Sequence, residues 1–132
     1  MSTAAALLQQ ASRVLNSPSG HSNRMACWIA RAALEAAVDN LLGARQRSAP
    51  GATMRSKLTV LQVACGPDGE IAARAHYAWT GLSVACHHHA FELAPTVTEV
   101  HHLISIVGTV IDPGHHPSTA DKGAVELAGY RA

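Results

Sequence analysis

The chain has few charges, few cysteines and no long apolar run, and each shortage removes a class of protein. Charged residues make up 14% of the sequence and the formal net charge is +1. No global field therefore gathers nucleic acid or an anionic membrane, and any basic patch must be local. The three cysteines, Cys27, Cys65 and Cys86, are odd in number, widely spaced and set in apolar stretches. A free thiol in such a place behaves as a small hydrophobe, and a disulfide framework is not expected. No segment reaches the roughly 18 apolar residues of a membrane span. The opening Met1–Leu8 has no charged leader before its short apolar run, so the expectation is a cytoplasmic protein without a membrane partner. No internal repeat and no metal motif of the HExxH or paired CxxC kind is present.

What is abundant is apolar surface. Hydrophobic residues are 48% of the 132, enough for one buried core and too short a chain for two. Residues 1–111 read as a single domain and 112–132 as a partly disordered tail, in which Pro117, Ser118, Thr119 and Gly123 break any long pattern. Nine histidines make the net charge rise as pH falls through about 6.5.

Apolar spacing predicts five helices and no convincing strand pair, hence an all-α, four-helix bundle with a short additional N-terminal helix. The short helix covers about Ser2 to Leu15. The next runs from Asn23 to Arg45 without proline, capped by Ser22 or Asn23, with an Arg31–Glu35 pair on its surface. Met54 to Cys65 fits a buried helix, although Thr59, Val60 and Val63 would also suit a strand. After the Gly66-Pro-Asp-Gly69 turn a long helix is expected from Glu70 to Leu93, until Pro95 breaks it. Thr96 with Glu99 forms a capping box for a last helix ending at Val110, before Asp112-Pro-Gly114. Trp28 and Trp79 are expected to anchor the core.

The most pointed chemical signal is Cys86-His87-His88-His89-Ala90-Phe91-Glu92. On a helix each residue advances about 100°, so three consecutive histidines point three ways and cannot share one ion. His89 follows the stripe Leu82, Cys86, Leu93 toward the core. His76, Ser83 and His87 share a more polar face. His88 and Glu92 form an i,i+4 pair that His101 or His102 could approach across a hairpin around Pro95. Zinc or another transition metal would suit His88, Glu92, His101 and His102, since imidazole and carboxylate both ligate such ions. The wider expectation is that no cofactor is needed. Cys86, mid-helix on an apolar face, lacks the surroundings that activate a thiol.

The second helix, Arg31-Ala-Ala-Leu-Glu-Ala-Ala-Val-Asp-Asn-Leu-Leu42, together with the element order and the long helix from Glu70, resembles the HEPN superfamily of small helical domains over about residues 20 to 111. The resemblance implies a homodimer that binds RNA, a nucleotide or a protein partner, here through a polar groove of Arg74, His76, Ser83 and His87. Many HEPN domains are metal-independent RNases with an arginine and a histidine separated by four to six intervening residues. None of Arg13, Arg24, Arg31, Arg45, Arg47, Arg55, Arg74 and Arg131 has one at that offset. An RNase here would have to use another arrangement, with His87 or His88 as general acid or base and Arg74 or Arg55 on the phosphate.

Overall fold

A computed structural model describes residues 2–17, 21–66, 69–87 and 94–114. Among them are five helices and no strand: α1 (Thr3–Leu15), α2 (Ser22–Ala44), α3 (Met54–Cys65), α4 (Glu70–Cys86) and α5 (Val97–Ile111). The tail beyond Gly114 and the residues His88, His89, Phe91, Glu92 and Leu93 lie outside the described part.

α2 is the hub. It touches all four other helices, while α1 reaches only α2 and α5, and α3 reaches only α2 and α4. Composition explains the role: α2 buries Ala26, Cys27, Ala30, Ala33, Leu34, Ala37, Val38 and Leu42, and its small side chains let several neighbours approach closely. α4 follows the same logic with Ala72, Ala75, Ala78, Leu82 and Cys86. α5 supplies the bulkier Val100, Leu103, Ile104, Val107 and Val110. At Gly81 a Cβ would stand 2.7 Å from Leu103 Cδ2, so the absence of a side chain sets the spacing of α4 and α5.

Local signals account for most helix ends. Ser2 accepts from the Ala5 amide and Thr53 from the Ser56 amide, each satisfying an orphan donor of a first turn. The capping box is complete: Glu99 N–H donates to Thr96 Oγ1 at 3.1 Å, and Thr96 N–H donates to Glu99 Oε2 at 3.3 Å. α3 is a helix, which the buried positions Met54, Lys57, Leu58 and Leu61 require.

Four expectations are corrected. α4 stops at Cys86 instead of running to Leu93: His87 is extended (φ −68°, ψ 129°), and its carbonyl oxygen accepts from Arg24 Nη1 at 2.8 Å. The histidine run thus begins where the helix ends, and His87 does not continue the helical face of His76 and Ser83. α2 begins after His21, with no side-chain cap; Asn23 donates instead to the Pro95 carbonyl at 2.9 Å. Trp28 is 54% exposed and does not anchor the core, whereas Trp79 is half-buried and packs against the core's edge. Arg31 lies against both indoles, its guanidinium carbon 4.2 Å from the Trp79 ring centroid and 5.5 Å from that of Trp28, a cation–π arrangement. Arg31 is consequently not paired with Glu35. Lys57, only 6% exposed, takes the carboxylates of α2: its Nζ is 2.9 Å from Asp39 and 3.9 Å from Glu35.

Candidate functional site: a cleft between α4 and α5

The outward face of α4 repeats Tyr77, Thr80, Gly81 and Val84, spacings that put one apolar-polar stripe beside α5. α5 contributes Glu99, His102 and Leu103, α2 contributes Arg24, and the chain beyond α4 contributes His87 and Pro95. Together with Ala85 they line an open cleft of about 450 Å³, within the size range of small-molecule sites.

Its two ends differ in chemistry. At one, Tyr77 and His102 meet edge to face, with ring centroids 5.9 Å apart and planes at 81°, and Tyr77 Oη lies 3.3 Å from His102 Nε2. Such an aromatic pair offers a flat face and a polar edge. At the other, the Arg24 guanidinium spends one N–H on the His87 carbonyl and makes no ion pair with any described carboxylate. Guanidinium carries five donors in a planar fork, so capacity for an anion remains. Glu99, whose Oε2 serves the Thr96 amide, is the one acidic group among the described lining residues. Val84, Ala85, Pro95 and Leu103 form the apolar wall.

Behind this cleft, between α4 and α2, the chemistry is shut down. Burial pushes the Cys27 thiol up from 9.0 to about 12, with the nearby Cys86 adding to the rise and Arg24 opposing it. Cys86 is also raised by burial, against the opposing charges of Arg31 and Arg24. Thiols held protonated are poor nucleophiles, in agreement with the inert role read from the sequence for Cys86.

The groove expected from Arg74, His76, Ser83 and His87 is not assembled as one surface. Arg74 donates to Glu70 at 3.1 Å one turn earlier, His76 is exposed, and the Ser83 hydroxyl is buried without a hydrogen-bond partner among the described residues. Only His87 of these four lines the cleft. Of the metal candidates, His102 lines the cleft and His101, the residue before it, is exposed, while His88 and Glu92 fall outside the described residues. No group of three or more potential ligands occurs among the described residues. Arg24, Tyr77, Thr80 and Glu99 were missed by sequence reasoning. The signal was there in part: Tyr77 and Val84 are large apolar residues seven apart on the face opposite the buried Ala75, Ala78 and Leu82, which marks a second packing face. No described helix is long and apolar enough to cross a membrane.

No family model matches the chain, and no curated protein or solved structure matches it either.

Proposed function

We propose that the chain is a HEPN-like helical domain that binds a nucleotide, free or at the end of an RNA strand, in the α4–α5 cleft. The observation that carries this reading is the presence in one cleft of a cation, Arg24, that makes no ion pair among the described residues, and a ring pair, Tyr77 with His102. A nucleotide has the matching parts: a phosphate for the guanidinium fork, which recognises such oxygens in bidentate fashion, and a base whose flat face rests on an aromatic side chain. The apolar wall excludes water from the base. Glu99 offers an acceptor for a ribose hydroxyl or an exocyclic amine, and its charge favours a monophosphate over a triphosphate.

Titration calorimetry of the full chain with the four ribonucleoside monophosphates tests it. At least one is expected to give saturable binding that Arg24→Ala and Tyr77→Ala each weaken by about tenfold, the scale of one lost charged hydrogen bond or one lost stack. Far-UV circular dichroism of both variants guards against misfolding. Absence of saturable binding for all four, or binding equal in wild type and Arg24→Ala, would remove the proposal.

A further inference from the structure

The α4–α5 cleft holds a negative charge that an anion site does not need. Glu99 stands in the first turn of α5, and its Oε2 accepts from the Thr96 amide at 3.3 Å in the capping box. A glutamine at that position closes the same box, so the helix end does not require the ionised form. In a cleft that takes a phosphate, a carboxylate costs affinity unless the ligand donates to it, because an ionised carboxylate accepts hydrogen bonds and cannot give one. The cap uses one of about four acceptor positions on the two oxygens. It also holds the side chain in place, so the remaining positions are oriented before a ligand arrives.

The place of Glu99 along the cleft says which donors it meets. Arg24 is fixed on the His87 carbonyl, just past the end of α4, where Pro95 leads into α5. The ring pair of Tyr77 and His102 is at the opposite end, and His102 follows Glu99 by about one turn, roughly 4.5 Å along the helix axis. Arg24 and Glu99 both act on the Cys27 thiol, in opposite directions, which puts guanidinium and carboxylate at neighbouring points of the cleft. The order is therefore cation, carboxylate, rings. In a nucleotide the order is phosphate, ribose, base, and the donors between phosphate and base are the 2′- and 3′-hydroxyls.

We propose that Glu99 reads the sugar: its carboxylate accepts from both hydroxyls of the ribose cis-diol, so the cleft takes a ribonucleotide whose 2′- and 3′-hydroxyls are both free. The proposal rests on the reading of the cleft as a nucleotide site and narrows it. A 2′-deoxynucleotide lacks one of the two donors. A residue inside an RNA strand carries a phosphodiester on its 3′-oxygen, which has no proton to give and brings a second negative charge against the carboxylate. What remains is a free ribonucleoside 5′-monophosphate or the 3′-terminal residue of an RNA, which share the diol.

Calorimetric titration of the full chain with the four ribonucleoside 5′-monophosphates and their 2′-deoxy counterparts tests the proposal from the ligand side, with no variant involved. Each ribonucleotide that binds is expected to do so at least about tenfold more tightly than its deoxy form, the scale of one lost hydrogen bond to a charged group. Glu99→Gln keeps an oxygen for the Thr96 amide and turns the other acceptor into an N–H donor. The ratio of ribose to deoxyribose affinity should fall severalfold in this variant, while its far-UV circular dichroism and melting temperature stay at wild-type values. A short RNA ending in a 3′-hydroxyl, compared with the same RNA ending in a 3′-phosphate, separates the two sources of the diol. Preference for the hydroxyl end assigns the site to RNA termini, and weak binding of both beside tight binding of the monophosphates assigns it to the free nucleotide. Equal affinity for ribo- and deoxyribonucleotides, or a ratio that Glu99→Gln leaves unchanged, overturns the proposal and leaves the nucleotide site standing. A Glu99→Gln effect that spares uridine 5′-monophosphate, which has no exocyclic amine, overturns it too, by placing the carboxylate on the base. If none of the nucleotides binds, the nucleotide site itself falls, and the sugar reader with it.

Discussion

The two flanks of α4 use similar residue types to opposite ends. Toward α2, Cys86 faces Cys27 under two arginines, and burial keeps both thiols protonated. Toward α5, Tyr77 meets His102 edge to face, and Thr80, Val84 and Leu103 line the rest of a cleft of about 450 Å³. The difference comes from the size of the residues opposite. α2 presents mainly alanines in its buried face, whereas α5 presents the bulkier Leu103, which the missing side chain of Gly81 accommodates. On the closed side, burial therefore leaves both thiols poor nucleophiles.

The largest break in that contrast should come from the closed side. Leu82 is fully buried on α4, and Leu82→Ala should cost about 2–5 kcal/mol, the lost transfer energy plus a cavity. Urea unfolding would measure it, and a loss below about 1 kcal/mol would show that the core closes around the gap.

Next in size is an alkaline effect. The unfolded Cys27 thiol ionises near 9, whereas the folded one holds its proton to about 12. Between these values the unfolded state binds fewer protons, so stability is intact below about pH 9 and falls as pH rises toward about 12, by up to about 1.4 kcal/mol per unit. The slope of unfolding free energy against pH should be shallower in Cys27→Ala. Equal slopes would mean that Cys27 titrates normally in the fold.

The smallest effect on stability, and the sharpest on the open side, belongs to Gly81→Ala. Alanine gains about 1 kcal/mol of helix propensity, while its Cβ, 2.7 Å from Leu103 Cδ2, displaces that side chain from its place in the cleft wall. The melting temperature should move by only a few degrees while nucleotide affinity changes severalfold. A large destabilisation with unaltered binding would refute this division of labour.

How much was legible follows the range of the interactions. Elements fixed by neighbours in sequence were read correctly: the capping box of Thr96 and Glu99, the stop at Asp112-Pro-Gly114, the long helix through Ala30, Ala33 and Leu34, and with them the all-α bundle. Features fixed at a distance were not. The end of α4 depends on Arg24, 63 residues before His87, and no local signal separates Cys86-His87 from a continuing helix. Both tryptophans sit on helical stripes that fit a core, yet Trp28 is exposed, with Arg31 from its own helix stacked on it and on Trp79. The cleft was hidden for a related reason: its cation comes from α2 and its ring pair joins residues 25 apart, so no motif of fixed spacing contains it.

The first turn of α2 holds the chain on both sides of the segment from His87 to Pro95 by grasping carbonyl oxygens, Arg24 at one and Asn23 at the other. A grip on the main chain is blind to the side chains it passes. Replacing His87 would leave the acceptor for Arg24 in place, so the identity of that residue is free to change with the ligand while the path of the chain at its anchors stays the same. At His87 and Pro95 the border of the cleft is thus attached through the main chain, and its side chains can be rewritten there without redesigning the bundle that holds it.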